Sequence, residues 1–177
     1  MTDPRRKRRK VMAVVGSGSS LDADHEQLCV DLGRAAVEAG FRLATGGLGG
    51  VMAAASRGAH GAAGYQEGDV VGILPGYDAG SANEDVDLAI PTGIGIARNV
   101  VLISTADVVV AVGGGSGTLS EMAVAWQLGK PIVGLAVAGG WAAKLAGKPI
   151  DGRRRDTVAS AETADQAVAQ AVTLTSD

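Results

Sequence analysis

The chain has 177 residues, 46% of them hydrophobic but only 3% aromatic, with 27 glycines and a formal net charge of −3. That length and apolar content suit one domain with a single sizeable core of small side chains. The lone cysteine, Cys29, excludes an internal disulfide, and no apolar stretch reaches the roughly 18 residues that span a bilayer.

The first ten residues read as a basic, flexible arm. RRKRRK (Arg5 to Lys10) carries six positive charges, whereas residues 11–177 hold 10 Lys and Arg against 18 Asp and Glu. Such an arm can touch polyanions, but a solvated tail is the simpler reading and nucleic acid is not expected as a partner. The basic start runs straight into an apolar strand-like segment with no cleavage-site pattern, so a cytoplasmic location is expected.

From residue 11 onward, short β-branched runs alternate with Ala-rich stretches. VMAVVG (11–16) reads as a buried strand. The following segment, 24–40, is a helix with Leu28, Leu32, Ala35 and Ala36 on one face and Gly40 as its stop. FRLATGG gives a second strand and loop, and GVMAAASRGAHGA a second helix. Strands are predicted at 69–75 and 86–92, a helix at 95–106, and the strongest strand at 107–115. A helix over 118–129, a strand over 131–137, a short strand near DTVAS and a helix over ETADQAVAQAV complete the chain. Continuously apolar strands alternating with helices indicate a sheet covered on both faces. With right-handed crossovers this becomes an α/β fold, a three-layer, doubly wound Rossmann-like sandwich with a mainly parallel sheet of about six or seven strands.

Three strand-to-helix loops are rich in glycine: GSGSS (16–20), TGGLGG (45–50) and GGGSGT (113–118). In this architecture all three converge on the carboxyl edge of the sheet, where ligands bind. Bare backbone can approach an anion closely, and helix amino termini favour phosphate. The candidate phosphate or nucleotide contacts are therefore Gly16, Ser17, Gly46, Gly47, Gly114, Gly115, Ser116, Gly117 and Thr118. Neither G-x-G-x-x-G nor G-x-x-x-x-G-K-[ST] is present, so neither a standard dinucleotide fold nor a P-loop NTPase is supported. A purely structural alternative is that these glycines permit tight turns. Glu121 follows Thr118 by three residues, which allows a T-x-x-E capping box as well as a role toward a ligand.

Several other residues have simple structural readings. His25, His60 and Cys29 are dispersed, so no metal site is expected, and Cys29 reads as core filler. Glu84, Asp85 and Asp87 read as a solvated loop, DGRRRD (151–156) as an exposed connection, and Trp126 as core or subunit interface. Lys130, Lys144 and Lys148 sit in no recognisable Schiff-base motif, which argues against a pyridoxal-phosphate enzyme.

GGGSGTLSE resembles the PGGxGTxxE signature of the LOG (Lonely Guy) family, Rossmann-like proteins often labelled lysine decarboxylases. TGGLGGVMAAASRGA is similar to that family's earlier glycine-rich turn, and Arg98 falls at the arginine of its HERK-type motif. The resemblance spans about residues 11–137. It implies a phosphoribohydrolase that needs no cofactor and cleaves a nucleoside 5'-monophosphate, of cytokinin riboside or AMP type, to base and ribose 5-phosphate. Arg98 and Glu121 would be the catalytic pair. A carboxylate beside the sugar would stabilise the positive charge developing there, and the planar fork of Arg98 would hold phosphate or carboxylate. The resemblance also implies a homodimer or higher homo-oligomer.

The sequence departs from that pattern at Gly113, in place of proline, at Asn99, in place of lysine, and at Gly95, Ile96 and Ala97, in place of Met-His-Glu. Asn99 remains a candidate ligand contact. IPTGIGIARN together with VGGGSGTLSE looks more like the LOG-related branch that includes molybdenum-cofactor carrier proteins. The alternative function is therefore a binding or carrier protein for molybdenum cofactor or a nucleotide, without turnover. A nucleotide sensor acting through a partner protein is a third reading.

Overall fold

A computed structural model describes residues 8–176. Seven strands, β1 (Val11–Gly16), β2 (Arg42–Thr45), β3 (Val70–Leu74), β4 (Leu88–Pro91), β5 (Val108–Val112), β6 (Ile132–Leu135) and β7 (Ala159–Ala161), form one sheet. They pair wholly in parallel in the order β4-β3-β2-β1-β5-β6-β7. Helices α1 (Ala23–Glu38), α2 (Val51–His60) and α6 (Ala164–Thr175) cover one face, and α3 (Arg98–Thr105), α4 (Ser116–Gln127) and α5 (Gly140–Leu145) the other. This is the doubly wound Rossmann-like sandwich expected from the alternation of runs. No helix among the described residues is long and apolar enough to cross a membrane.

The central strands show why their sequences lack polar alternation. On β1, Met12 and Val14 enter the layer beneath α1 and α2, while Ala13 and Val15 enter the layer beneath α3 and α4. On β5, Val108, Val110 and Val112 face the first layer, and Val109 and Ala111 the second. A strand covered on both sides has no position left for a polar side chain. Cys29 and Trp126 are both core residues. Burial pushes the Cys29 thiol up to about 12, consistent with its reading as filler.

Element boundaries differ from the sequence reading in four places. Residues 95–97 form a 3₁₀ turn ahead of α3, the last strand, Ala159–Ala161, takes in the end of DTVAS and runs one residue past it, and α5 has no counterpart in the sequence reading. Its six residues, GWAAKL, are too short for a periodic signal. The fourth difference, at the start of α4, concerns the site and is described below.

The amino edge of the sheet is closed by aspartates placed immediately before strands. Asp107 Oδ2 accepts from the Val11 N–H at 2.8 Å, and Asp87 Oδ2 accepts from the Gly68 and Val70 N–H groups at 3.1 and 2.9 Å. Asp69 Oδ2 accepts from the Gln66 N–H at 3.0 Å. Asp87 also accepts from the Tyr65 hydroxyl at 2.5 Å and lies 3.2 Å from His60 Nε2. Asp87 is therefore a partly buried latch rather than part of a solvated loop.

Residues 1–7 of the expected flexible arm lie outside the described residues, whereas Arg8, Arg9 and Lys10 are docked. Arg8 grips Asp107 through two hydrogen bonds of 2.8 and 2.5 Å. Arg9 pairs with Asp69 and donates to the Phe41 carbonyl, and Lys10 donates to the Thr175 carbonyl. The DGRRRD segment is corrected in part as well. Arg154 stacks over the Trp126 ring, 4.4 Å from its centroid, and donates to the Lys130 carbonyl at 3.0 Å, while Trp126 Nε1 donates to Asp151 at 2.8 Å.

Helices α1 and α2 cross with their backbones in near contact, at Gly33 and Gly58. A Cβ on Gly58 would stand 1.9 Å from the Val30 carbonyl oxygen, and one on Gly33 the same distance from that of Ala55. An exposed helical glycine normally gains about 1 kcal/mol on replacement by alanine. At this crossing the sign is reversed: Gly58→Ala is expected to destabilise by about 1–3 kcal/mol through overpacking. Urea denaturation checks it, and a variant as stable as wild type would refute the close crossing.

Candidate ligand site at the carboxyl edge

From β1 the chain winds outward through β2, β3 and β4, then returns to place β5 on the other side of β1. The loops leaving β1 and β5 therefore diverge, opening a crevice at the topological switch point. Gly16 ends β1 opposite Val112. A Cβ there would lie 2.6 Å from the Val112 carbonyl oxygen and 2.7 Å from a Val51 methyl, so only glycine fits. The loop after β1 is tied to the start of α2 by the Val51 N–H donating to the Ser17 carbonyl at 3.0 Å.

A cavity of about 510 Å³ opens in this crevice, within the range of small-molecule sites, about 300–1,000 Å³. Of the residues expected at the site, Gly16, Ser17, Gly46, Arg98, Asn99, Gly115, Ser116, Gly117, Thr118 and Glu121 all line it. The three glycine-rich loops thus meet in one place. Gly47 and Gly114 stand behind the wall instead. Gly47, at φ 73°, packs against Leu74, and its carbonyl accepts from the Asn83 N–H. Gly114, at φ 86°, packs against Thr118, and its carbonyl accepts from the Trp141 N–H. Both shape their turns and present no surface to the cavity.

The helix α5 explains how the third loop is held. The Ala142 and Trp141 N–H groups donate to the Gly113 and Gly114 carbonyls at 3.0 and 3.1 Å. With those carbonyls turned away toward α5, the chain enters α4 with Gly115 as its cap residue and no side-chain cap. The first intrahelical bond of that turn runs from the Leu119 N–H to the Gly115 carbonyl at 3.0 Å. The N–H groups of Ser116, Gly117 and Thr118 precede it and have no intrahelical acceptor. They carry the positive end of the helix dipole, suited to an anion.

Because α4 starts at Ser116 rather than Thr118, the T-x-x-E capping box does not form. Thr118 lies in the first turn and Glu121 in the second. Asn99 is a brace as well as a lining residue: its Nδ2 donates to Ser120 Oγ at 3.0 Å, and Ser120 Oγ donates to the Gly117 carbonyl at 2.7 Å. This chain ties the start of α3 to the first turn of α4.

Two charged side chains, Arg98 and Glu121, line the cavity. Glu121 is 6% exposed. Burial pushes its carboxyl up to about 7, although the positive charge of Arg98 works the other way. Arg98 reaches from the start of α3 to the loop after β2, where a Cβ on Gly46 would fall 2.0 Å from its Nη1. Burial lowers its pKa and Glu121 opposes that shift. Arg98 Nη1 is buried without a hydrogen-bond partner among the described residues. A buried donor left unpaired is costly, and in a native structure it calls for an explanation in strain, water or function.

Leu48, Met52, Pro75 and Ile96 form an apolar wall, which sequence reasoning missed. Leu48 and Met52 read as core from their surroundings. Only Ile96, an apolar residue in a Gly-rich turn and 74% exposed, carried a signal. Among the described residues, no three His, Cys, Asp or Glu side chains cluster to hold a metal ion.

The SLOG cluster4 family model matches residues 9–171. The chain belongs to the SLOG cluster4 family. An uncharacterised protein of Archaeoglobus fulgidus is 38% identical over 124 residues, covering 70% of this chain and 78% of its own. The molybdenum cofactor binding protein of the phototrophic bacterium Rippkaea orientalis superposes with a TM-score of 0.81 at 30% identity, over 96% of this chain and 99% of the other. The molybdenum cofactor carrier protein of Chlamydomonas reinhardtii gives 0.77 at 31%, over 94% and 98%.

Glu121 generates a prediction about stability. A carboxyl whose pKa is raised on folding binds its proton more tightly folded than unfolded, so stability falls as pH rises from the ordinary carboxyl range to about 7 and is level above it. Removing that charge with Glu121→Gln is expected to raise stability at pH 8 by up to about 3 kcal/mol. The gap from wild type should close toward pH 4.5. Denaturant titrations at several pH values check this, and a pH-independent difference would contradict it.

Proposed function

We propose that this protein binds or carries a phosphate-bearing ligand of the molybdenum-cofactor type and holds it without turnover. The observation that carries this reading is the cavity itself. Unpaired amides at the start of α4 and the Arg98 side chain lining the same space point to an acceptor-rich ligand, and an apolar wall stands ready for a flat ring. Similarity along nearly the whole chain to two molybdenum-cofactor proteins supports it. The phosphate would rest on the Ser116, Gly117 and Thr118 N–H groups, with the ring system against Leu48, Met52 and Ile96.

A cytoplasmic homo-oligomer belongs to the same reading. The exposed apolar side chains Ile94, Ile96 and Val100, at the start of α3, support assembly through that face.

A second reading, the LOG-like phosphoribohydrolase, draws on Glu121 standing in the same cavity as the phosphate cradle, about 5 Å along the helix from Thr118. Hydrolysis at an N-glycosidic bond wants an ionised carboxylate against the developing positive charge. Burial raises the Glu121 carboxyl to about 7, which leaves it partly ionised at neutral pH and fits either reading. The segment Gly95 to Ala97, by contrast, lacks the Met-His-Glu of the hydrolase pattern.

Ser116→Pro tests the cradle. Proline is tolerated at the first helical position and removes one N–H, so the fold should persist. A hydrogen bond to a charged group is worth about 1.5–3 kcal/mol, and molybdopterin binding is expected to weaken by about tenfold or more. Unchanged affinity would move the phosphate away from α4. In parallel, wild type incubated with AMP and isopentenyl-AMP should release no free base. Release that Glu121→Gln abolishes would establish the hydrolase instead.

A further inference from the structure

Apart from Glu121, the polar groups at the cavity surface are donors or can act as donors. The α4 amides, the hydroxyls of Ser17, Ser116 and Thr118, and the guanidinium of Arg98 can all meet an acceptor-rich ligand. An ionised Glu121 can only accept. It sits one turn beyond the amides, and no hydrogen bond reaches its carboxyl among the described residues. The groups facing it are few. From α3 comes Arg98; α4 carries no other charged residue; the turns after β1 and β2 contribute Gly16, Ser17, Gly18, Gly46 and Leu48, all uncharged. When an anion settles on the amides, one arginine must answer two negative charges in a buried space. Protonating Glu121 removes one of them and turns the carboxyl into a further donor.

We infer that Glu121 meets the ligand in its protonated form, as a hydrogen-bond donor, so that filling the cavity above neutral pH takes up as much as one proton. The ligand class this selects carries a second acceptor, separate from its phosphate, within reach of Glu121 in the cavity that Arg98 also lines. The inference rests on the reading of the α4 amides as an anion cradle. Burial already holds the Glu121 carboxyl at about 7, so the coupling operates near neutral pH. A bound anion raises it further: affinity is greatest below about pH 7 and falls by up to about tenfold per pH unit above it, until the liganded carboxyl itself ionises.

Phosphate monoesters titrate near pH 6 themselves, so the probe is inorganic sulfate, whose charge is fixed between pH 6 and 9. Carboxyl-labelled wild-type protein is titrated by carbon NMR with and without saturating sulfate, and sulfate affinity is measured across the same range. The expected result is a Glu121 midpoint at least about one unit higher with sulfate, and affinity about tenfold weaker at pH 8.5 than at pH 6.5. In Glu121→Gln, which keeps the side-chain volume, the affinity should not vary with pH. Sulfate bound equally well at every pH, with an unmoved Glu121 midpoint, overturns the inference and leaves the cradle standing. Absence of sulfate binding in wild type, together with Ser116→Pro leaving molybdopterin affinity unchanged, overturns the cradle and the inference with it. Should Glu121→Gln fail to fold, the wild-type titration decides alone.

Discussion

The constraint on which the structure depends is the pairing of β1 with β5 at the middle of a wholly parallel sheet. Two neighbouring strands whose continuations wind to opposite sides must part at their carboxyl ends, and nothing in a regular α/β fold fills the gap. Every feature of the cavity follows from that parting. Gly16 is required where β1 ends against Val112 and α2 presses in. The turn after β5 must leave the sheet sharply, which the positive φ at Gly113 and Gly114 permits. The helix α5 accepts that turn by pairing with the carbonyls of both glycines. What remains facing the gap is the unpaired start of α4.

A second physical conflict is built on the first. Arg98 and Glu121 are brought into a space where each loses hydration, and each shifts toward its neutral form, with the opposite charge compensating only in part. A protein selected for stability alone would pair them closely or replace them with apolar residues. Instead no ion pair joins them among the described residues, and Arg98 Nη1 is left with an unmet hydrogen bond. Gly46 makes this arrangement possible, since any side chain there would collide with the guanidinium. Energy held in unsatisfied groups at a cavity is available to a ligand that satisfies them.

The sheet and the convergence of its loops were legible because burial on both faces forces unbroken apolar strands, and because three glycine clusters each follow such a strand. The boundary of α4 was less legible. Thr118 and Glu121 have the spacing of a capping box, and only the pairing of Gly113 and Gly114 with α5 moves the helix start two residues earlier. Since α5 is one and a half turns long, its own sequence announces nothing. Asp87 and Arg154 were misread for a related reason. A charged residue in a loop reads as solvated unless its partners are known, and these partners, Tyr65, His60 and Trp126, lie 22 to 28 residues away. The apolar wall was hidden by the opposite ambiguity, since Met52 looks like any other core-facing residue of α2 and Leu48 like an apolar spacer in a glycine-rich loop.

The two edges of the sheet divide the charged chemistry between them. At the amino edge, Asp69, Asp87 and Asp107 each stand one residue before a strand and take up backbone N–H groups, and Arg8 and Arg9 close over two of them. Those carboxylates are satisfied by neighbours fixed in place, so that edge supplies rigidity. The cavity at the carboxyl edge keeps donors unpaired at the start of α4 and confines its one lining carboxylate to a place where ionisation is disfavoured. An anion therefore finds matching groups at one edge only, even though the body is acidic overall. Local donor geometry in a space of low polarity outweighs a net charge that solvent and salt screen within about 8–10 Å. The closed edge also lets the open one persist. With the strands' starts pinned, the loops at their ends can hold unsatisfied groups in position without the sheet giving way to relieve them.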